Sequence, residues 1–136
     1  MIEKDALQAA IAGEHAALYG VGVAGGKLSG GQFRAATTAY EQHRKRRDQL
    51  ADLLVDAGET PVAAEPAYDL PQAVTNAATA SALILLIERR LAAVYGDLVE
   101  SAEQDKVRTF AVQALIATAQ AQLGWGGTPT AFPGSA

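Results

Sequence analysis

Gly58-Glu59-Thr60-Pro61-Val62-Ala63-Ala64-Glu65-Pro66-Ala67-Tyr68-Asp69-Leu70-Pro71-Gln72-Ala73-Val74-Thr75 decides how this chain folds. Pro61, Pro66 and Pro71 recur at even spacing, and each fixes its own backbone and biases the preceding residue toward extended geometry, so no continuous helix can form here. At roughly 3.3 Å per residue the segment reaches more than about 40 Å, beyond the length of a helix of about 25 residues. It can run from one end of a helical bundle to the other, which places the helices before and after it parallel.

Working outward, a first helix is expected from about Glu3 to Lys27, with Leu7, Ile11, Glu14, Leu18, Val21 and Gly25 on one face. Ser29-Gly30-Gly31 turns the chain. A second helix follows from about Gln32 to Ala57, with Gly58 suited to close it. The third begins near Asn76, capped by Thr75 or Asn76, and continues to about Ser101. The fourth runs from about Glu103 to Leu123 and buries Val107, Phe110, Ala114, Ala117, Thr118 and Ala121. Residues 124–136 form a tail whose Ala131-Phe132-Pro133 is expected to pack back on the bundle. Short link, long link (58–75), short link is the pattern of an all-α, ferritin-like four-helix bundle with one crossover between its second and third helices.

The chain has 136 residues, enough for one domain spanning 1–136 with one core. It contains no cysteine, which excludes disulfides, iron–sulfur clusters and thiolate zinc sites. The N-terminal Met1-Ile2-Glu3-Lys4-Asp5 lacks the pattern of a signal peptide, so a cytoplasmic location is expected. The most apolar run, Ala77 to Ile87, is shorter than the about 20 residues a bilayer span needs. A net charge of −4 offers no general attraction to nucleic acid or to an anionic membrane.

The second helix is unusual inside. Steps of three and four residues give Phe33, Ala36, Tyr40, His43, Arg47, Leu50 and Leu54 as a stripe roughly 100° wide. His43 and Arg47 then face inward, while Glu41, Gln42, Lys45 and Arg46 face out. Glu14 on the first helix and Glu88 on the third likewise sit at mid-helix among apolar neighbours. The expected buried polar cluster is therefore Glu14, Tyr40, His43, Arg47, Glu88 and Tyr95, with charges that nearly cancel.

Four motifs carry a family resemblance: Glu14-His15-Ala16-Ala17-Leu18-Tyr19, His43-Arg44-x-Arg46-Arg47-Asp48, Glu65-Pro66-Ala67-Tyr68-x-Leu70-Pro71 and Thr130-Ala131-Phe132-Pro133-Gly134. Over essentially its whole length the chain resembles the ferritin-like helical family of high-GC bacteria known as a domain of unknown function. The resemblance implies a ferritin-like bundle and no established reaction, substrate or cofactor.

A di-iron bundle needs a Glu from each of two helices and a Glu-x-x-His from each of the other two. Glu14 and Glu88 fit the single positions. The second helix offers Tyr40-x-x-His43, with a phenol in place of the bridging carboxylate, and the fourth offers Gln113-Ala114-Leu115-Ile116-Ala117, with no anionic ligand. The expectation is no cofactor and a degenerate site, the alternative being one iron, manganese or zinc ion on Glu14, His43 and Glu88. A third reading is an apolar-ligand pocket near Tyr40 and Tyr95.

Gly20-Val21-Gly22-Val23-Ala24-Gly25 matches the dinucleotide fingerprint by letter, but it lies inside a helix rather than between a strand and a helix. The basic run 43–47 points all round its helix and does not make one surface. Ser29, Ser81, Ser101 and Ser135 have no His and Asp at useful spacing, and His15 reads as a surface or interface residue. The functional expectation is a non-enzymatic bundle that associates with itself, most simply as a dimer, or with another protein. The Ala- and Gly-rich surfaces of the first and fourth helices permit such close approach.

Overall fold

Heptad-like apolar spacing and few interior breakers give four helices in the computed structural model, which describes residues 1–134. They are α1 (Glu3–Gly25), α2 (Gly30–Asp56), α3 (Ala77–Ser101) and α4 (Asp105–Gly124). The expected bounds fall within two residues of these at every end. Asn76 caps α3: its side chain accepts from Thr79 N at 2.9 Å, while Thr79 Oγ1 accepts from Asn76 N at 3.0 Å. Gly58 ends α2 with φ +78°, and Glu59 N reaches back to the Leu54 carbonyl at 2.9 Å, a left-handed closure that favours glycine.

The direction of each helix follows from what it buries. Leu50 and Leu54 of α2 join Leu7 and Ile11 of α1 in one apolar cluster, whereas Ala36 joins Val21 and Ala24 in a second, so α1 and α2 are antiparallel. Ala80, Leu83 and Ile84 at the start of α3 belong to the second cluster, and Leu98 and Ala102 at its end belong to the first. Thus α3 also opposes α1 and runs parallel to α2, as the proline-spaced segment requires.

That segment lies along α1 from end to end. Gln8 clasps its beginning, donating to the Thr60 carbonyl at 2.8 Å and accepting from Val62 N at 2.9 Å. His15 Nε2 donates to the Val62 carbonyl at 3.0 Å, so this half-buried histidine holds the crossover. Tyr68 meets the Tyr19 ring at a centroid distance of 5.9 Å, and Leu70 and Val74 pack on the second apolar cluster. Glu3 ties the opposite end of the bundle: its Oε2 accepts from the backbone N–H of Glu103 at 2.6 Å and of Gln104 at 2.9 Å, bracing the turn into α4.

Packing around the square is uneven. α1 lies closely on α2 and on α3, and α3 lies closely on α4, but α2 and α4 stand apart across an open groove. Gln42, Lys45, Arg46 and Gln49 face Phe110, Gln113 and Ala117 across one part of it. Among the described residues no helix is long and apolar enough to cross a membrane.

Several expected positions differ. Phe33 is 48 % exposed, outside the core. Phe132 is exposed at 77 %, and the tail touches the bundle instead through Gly134, whose carbonyl oxygen lies where a Cβ on Gly96 would be only 2.5 Å away. On α4, Ala111 and Gln122 are buried, while Phe110, Ala117 and Ala121 are half-buried along the groove. Ser135 and the last residue of the expected tail lie outside the described residues.

Candidate functional site

Between the two apolar clusters the core carries one polar layer. α1 contributes Glu14, α2 contributes His43 and Arg46, and α3 contributes Glu88 and Tyr95. None of the five residues is more than 8 % exposed. His43 is suspended between two carboxylates, with Nδ1 2.6 Å from Glu14 Oε1 and Nε2 2.6 Å from Glu88 Oε1. Both ring nitrogens face acceptors that have no proton to offer as carboxylates, so the arrangement fits the doubly protonated imidazolium. Arg46 Nε donates to Glu14 Oε2 at 2.9 Å, and the Tyr95 hydroxyl donates to the same oxygen at 2.7 Å. Arg46 Nη2 lies 3.2 Å from His43 Nδ1; with the imidazolium present, this is a contact between two donors, held together by the shared Glu14.

Burial by itself would lower the affinity of His43 for its second proton. The hydrogen bonds and charges of Glu14 and Glu88 outweigh it and push the pKa up to about 9. For Glu14 burial works upward, but the bonds and charges from His43, the Arg46 guanidinium and the Tyr95 hydroxyl hold the carboxyl below its ordinary range. Burial is also the main reason that the Tyr95 phenol is raised well above its usual value, and Glu14 adds to it. Two carboxylates, one imidazolium and one guanidinium sum formally to zero, as a buried cluster must.

The structure brings Glu14, His43, Glu88 and Tyr95 together as the sequence suggests, and corrects the other two members. The buried arginine is Arg46, 8 % exposed, whereas Arg47 is half-exposed and pairs with Asp48 at 2.9 Å. Tyr40 is 36 % exposed and lies beside Gly22 and Phe33 in a surface groove at the seam of α1 and α2, outside the polar layer. All three misplaced residues, Phe33, Tyr40 and Arg47, lie on the same side of the true stripe of Ala36, His43, Arg46, Leu50 and Leu54. The helix is turned by roughly half the expected stripe width toward the groove. Ala35 and Ala39, small residues on the groove side of α2, were the available signal, because they leave room for a long side chain one turn on.

This donor set does not fit the dinuclear metal centre of a ferritin-like bundle. Two cations need several bridging carboxylates and open histidine nitrogens. Here the layer holds two carboxylates, a histidine with both nitrogens engaged, and a guanidinium on Glu14. No group of three or more His, Cys, Asp or Glu among the described residues is arranged to hold a metal ion. For His43, Glu14 and Glu88 to bind one ion, the imidazole would have to give up a proton that both carboxylates hold in place. An imidazolium that donates from both nitrogens also has no lone pair with which to act as a general base.

Fold and site together define a four-helix bundle with one long crossover and a buried, charge-balanced layer of Glu14, His43, Arg46 and Glu88. The chain belongs to a domain family of unknown function, DUF4439, whose profile matches residues 6–136. It is similar to a conserved hypothetical protein, rv2844, from Mycobacterium tuberculosis, whose crystal structure superposes with a TM-score of 0.88 at 35 % identity, covering 90 % of this chain and 93 % of that one. No curated protein matches the sequence.

Proposed function

We propose that this chain is a non-enzymatic, ferritin-like bundle that works by association, pairing with a second copy through the outer face of α4. The observation that carries this reading is a second apolar stripe. Val112, Ile116 and Leu123 are 39 %, 52 % and 49 % exposed and fall within about 40° of one another around the helix axis. They point away from the core face formed by Val107, Ala111, Ala114 and Thr118. A surface helix of an isolated monomer has no use for two apolar faces.

A second copy is favoured over an unlike partner by charge. Residues 109–136 contain no charged side chain and no histidine. Two-fold pairing brings each surface against itself, so any like charges would meet; this surface has none to repel. The polar layer supports the reading from inside, since its groups are committed to holding α1, α2 and α3 together.

Sedimentation velocity over a range of concentrations tests the proposal. The expected result is a reversible dimer that Ile116→Glu converts to a monomer without loss of helical content. A protein that stays monomeric throughout, or a dimer that Ile116→Glu leaves intact, overturns it.

A further inference from the structure

The polar layer leaves one atom unused. Both oxygens of Glu14 are engaged, but only Oε1 of Glu88 is; Glu88 Oε2 has no hydrogen-bond partner although the residue is 1 % exposed. An unmatched buried carboxylate oxygen is costly, and such groups in folded proteins call for a reason.

Glu88 forms part of the floor of the groove between α2 and α4, which encloses about 460 Å³. That is within the range of small-molecule sites. Arg46 lies on the same floor, and a guanidinium can only donate. Glu88 and Arg46 therefore line one cavity, within a cluster whose formal charges already cancel; Glu88 Oε2 itself is closed to water, so a ligand reaches it only by displacing a lining side chain. An ammonium group would satisfy Glu88 and add an unbalanced charge beside His43 and Arg46. A carboxylate would satisfy Arg46 and confront Glu88 with a like charge. A neutral group that donates and accepts at once meets both demands. The walls come from Ala35, Ala39, Ala121 and Trp125, small side chains and one indole, which suit a flat apolar body.

We propose that the α2–α4 groove is a binding site for an uncharged carboxamide carried on a flat apolar ring, its N–H donating to Glu88 Oε2, its carbonyl accepting from Arg46 and its ring lying beside Trp125. The site uses the inner edge of α4, not the outer stripe, and stands whether or not the molecule pairs.

Trp125 is the sole tryptophan, so its fluorescence reports on the groove directly. Benzamide is the probe. Titration should give a saturable change in Trp125 emission with a dissociation constant on the order of 1 mM, reasonable for a ligand of that size. Benzoate, which brings a charge, and N,N-dimethylbenzamide, which lacks the donor, should each bind about tenfold or more weakly. Ala39→Leu, which fills the groove without touching the polar layer, should abolish the change with helical content intact. Glu88→Gln keeps an oxygen for His43 but places an amide nitrogen where Oε2 was, and should weaken benzamide by about tenfold or more. No saturation, equal binding of benzoate or of N,N-dimethylbenzamide, or full binding by Ala39→Leu overturns the proposal; if Glu88→Gln does not fold, Ala39→Leu decides alone.

Discussion

His43 holds its second proton because two carboxylates from two other helices need it there. Its folded pKa of about 9 stands above the ordinary 6.5 of an unfolded chain. The folded state thus binds that proton more tightly, and the stabilisation is complete below about pH 6.5 and is lost as pH rises through about 9. The loss amounts to at most about 3 kcal/mol over that window. Glu14 works in the opposite sense: its lowered pKa stabilises the fold above the ordinary carboxylate range, and that contribution disappears as pH falls through the folded value. Urea titrations from about pH 6 to about pH 9.5 should show a falling midpoint; a flat profile would mean that the imidazolium is not what the two carboxylates bind. The two neighbouring arginines give a second prediction. Arg46→Ala leaves Glu14 short of a buried cationic partner and should cost about 3 kcal/mol, whereas Arg47→Ala removes a half-exposed pair and should stay within about 0.5 kcal/mol. Equal effects in thermal or chemical unfolding would restore the expected inward Arg47. Periodicity alone could not separate them, because they lie roughly 100° apart and the true stripe passes close to both. Glu14 and Glu88 were legible for the contrary reason: each is a lone carboxylate with apolar residues one turn away on both sides.

The crossover was the most legible element, since three prolines and a glycine cap leave it no other path, and its reach dictates that α2 and α3 run parallel. What the sequence did not disclose is how the crossover is fastened. His15 reads as a surface or interface residue and Gln8 belongs to no motif, yet both bind crossover backbone, a role set by which loop happens to pass and not by any local pattern. Gln8→Ala removes a donor and an acceptor together and should cost about 1 kcal/mol. The loss should be local: amide exchange at Val62 should quicken while the α2 amides near Leu54 keep their protection. If both regions quicken alike, the clasp belongs to the global fold and not to the crossover. The open groove was equally hidden, because Ala35, Ala39, Ala117 and Ala121 could as easily have let α2 and α4 close on each other.

At the scale of the molecule, the polar layer divides one core into two apolar halves, and its stability depends on the group being complete. Removing any single charged member strands a charge, yet replacing all of them together strands none. A variant carrying Glu14→Leu, His43→Leu, Arg46→Met, Glu88→Leu and Tyr95→Phe removes both carboxylates, both cations and the hydroxyl that Glu14 accepts from. Tyr95→Phe is needed because the phenol would otherwise lose its acceptor at full burial. Buried ion clusters exchanged for apolar residues of similar volume commonly leave stability unchanged or raise it by about 1–4 kcal/mol. The combined variant should therefore unfold at or above the temperature of the parent, keep its helical content, and lose the decline in stability between about pH 6.5 and 9. Each single substitution of a charged member should lie well below it. If the combined variant is instead less stable than Arg46→Ala, the layer contributes more than mutual neutralisation, and its reading as a self-contained charge-balanced set fails. If the parent pairs as proposed and the combined variant folds without pairing, the outer stripe of α4 depends on the layer for its geometry, and the two surfaces of that helix are coupled through α3, on which α4 packs.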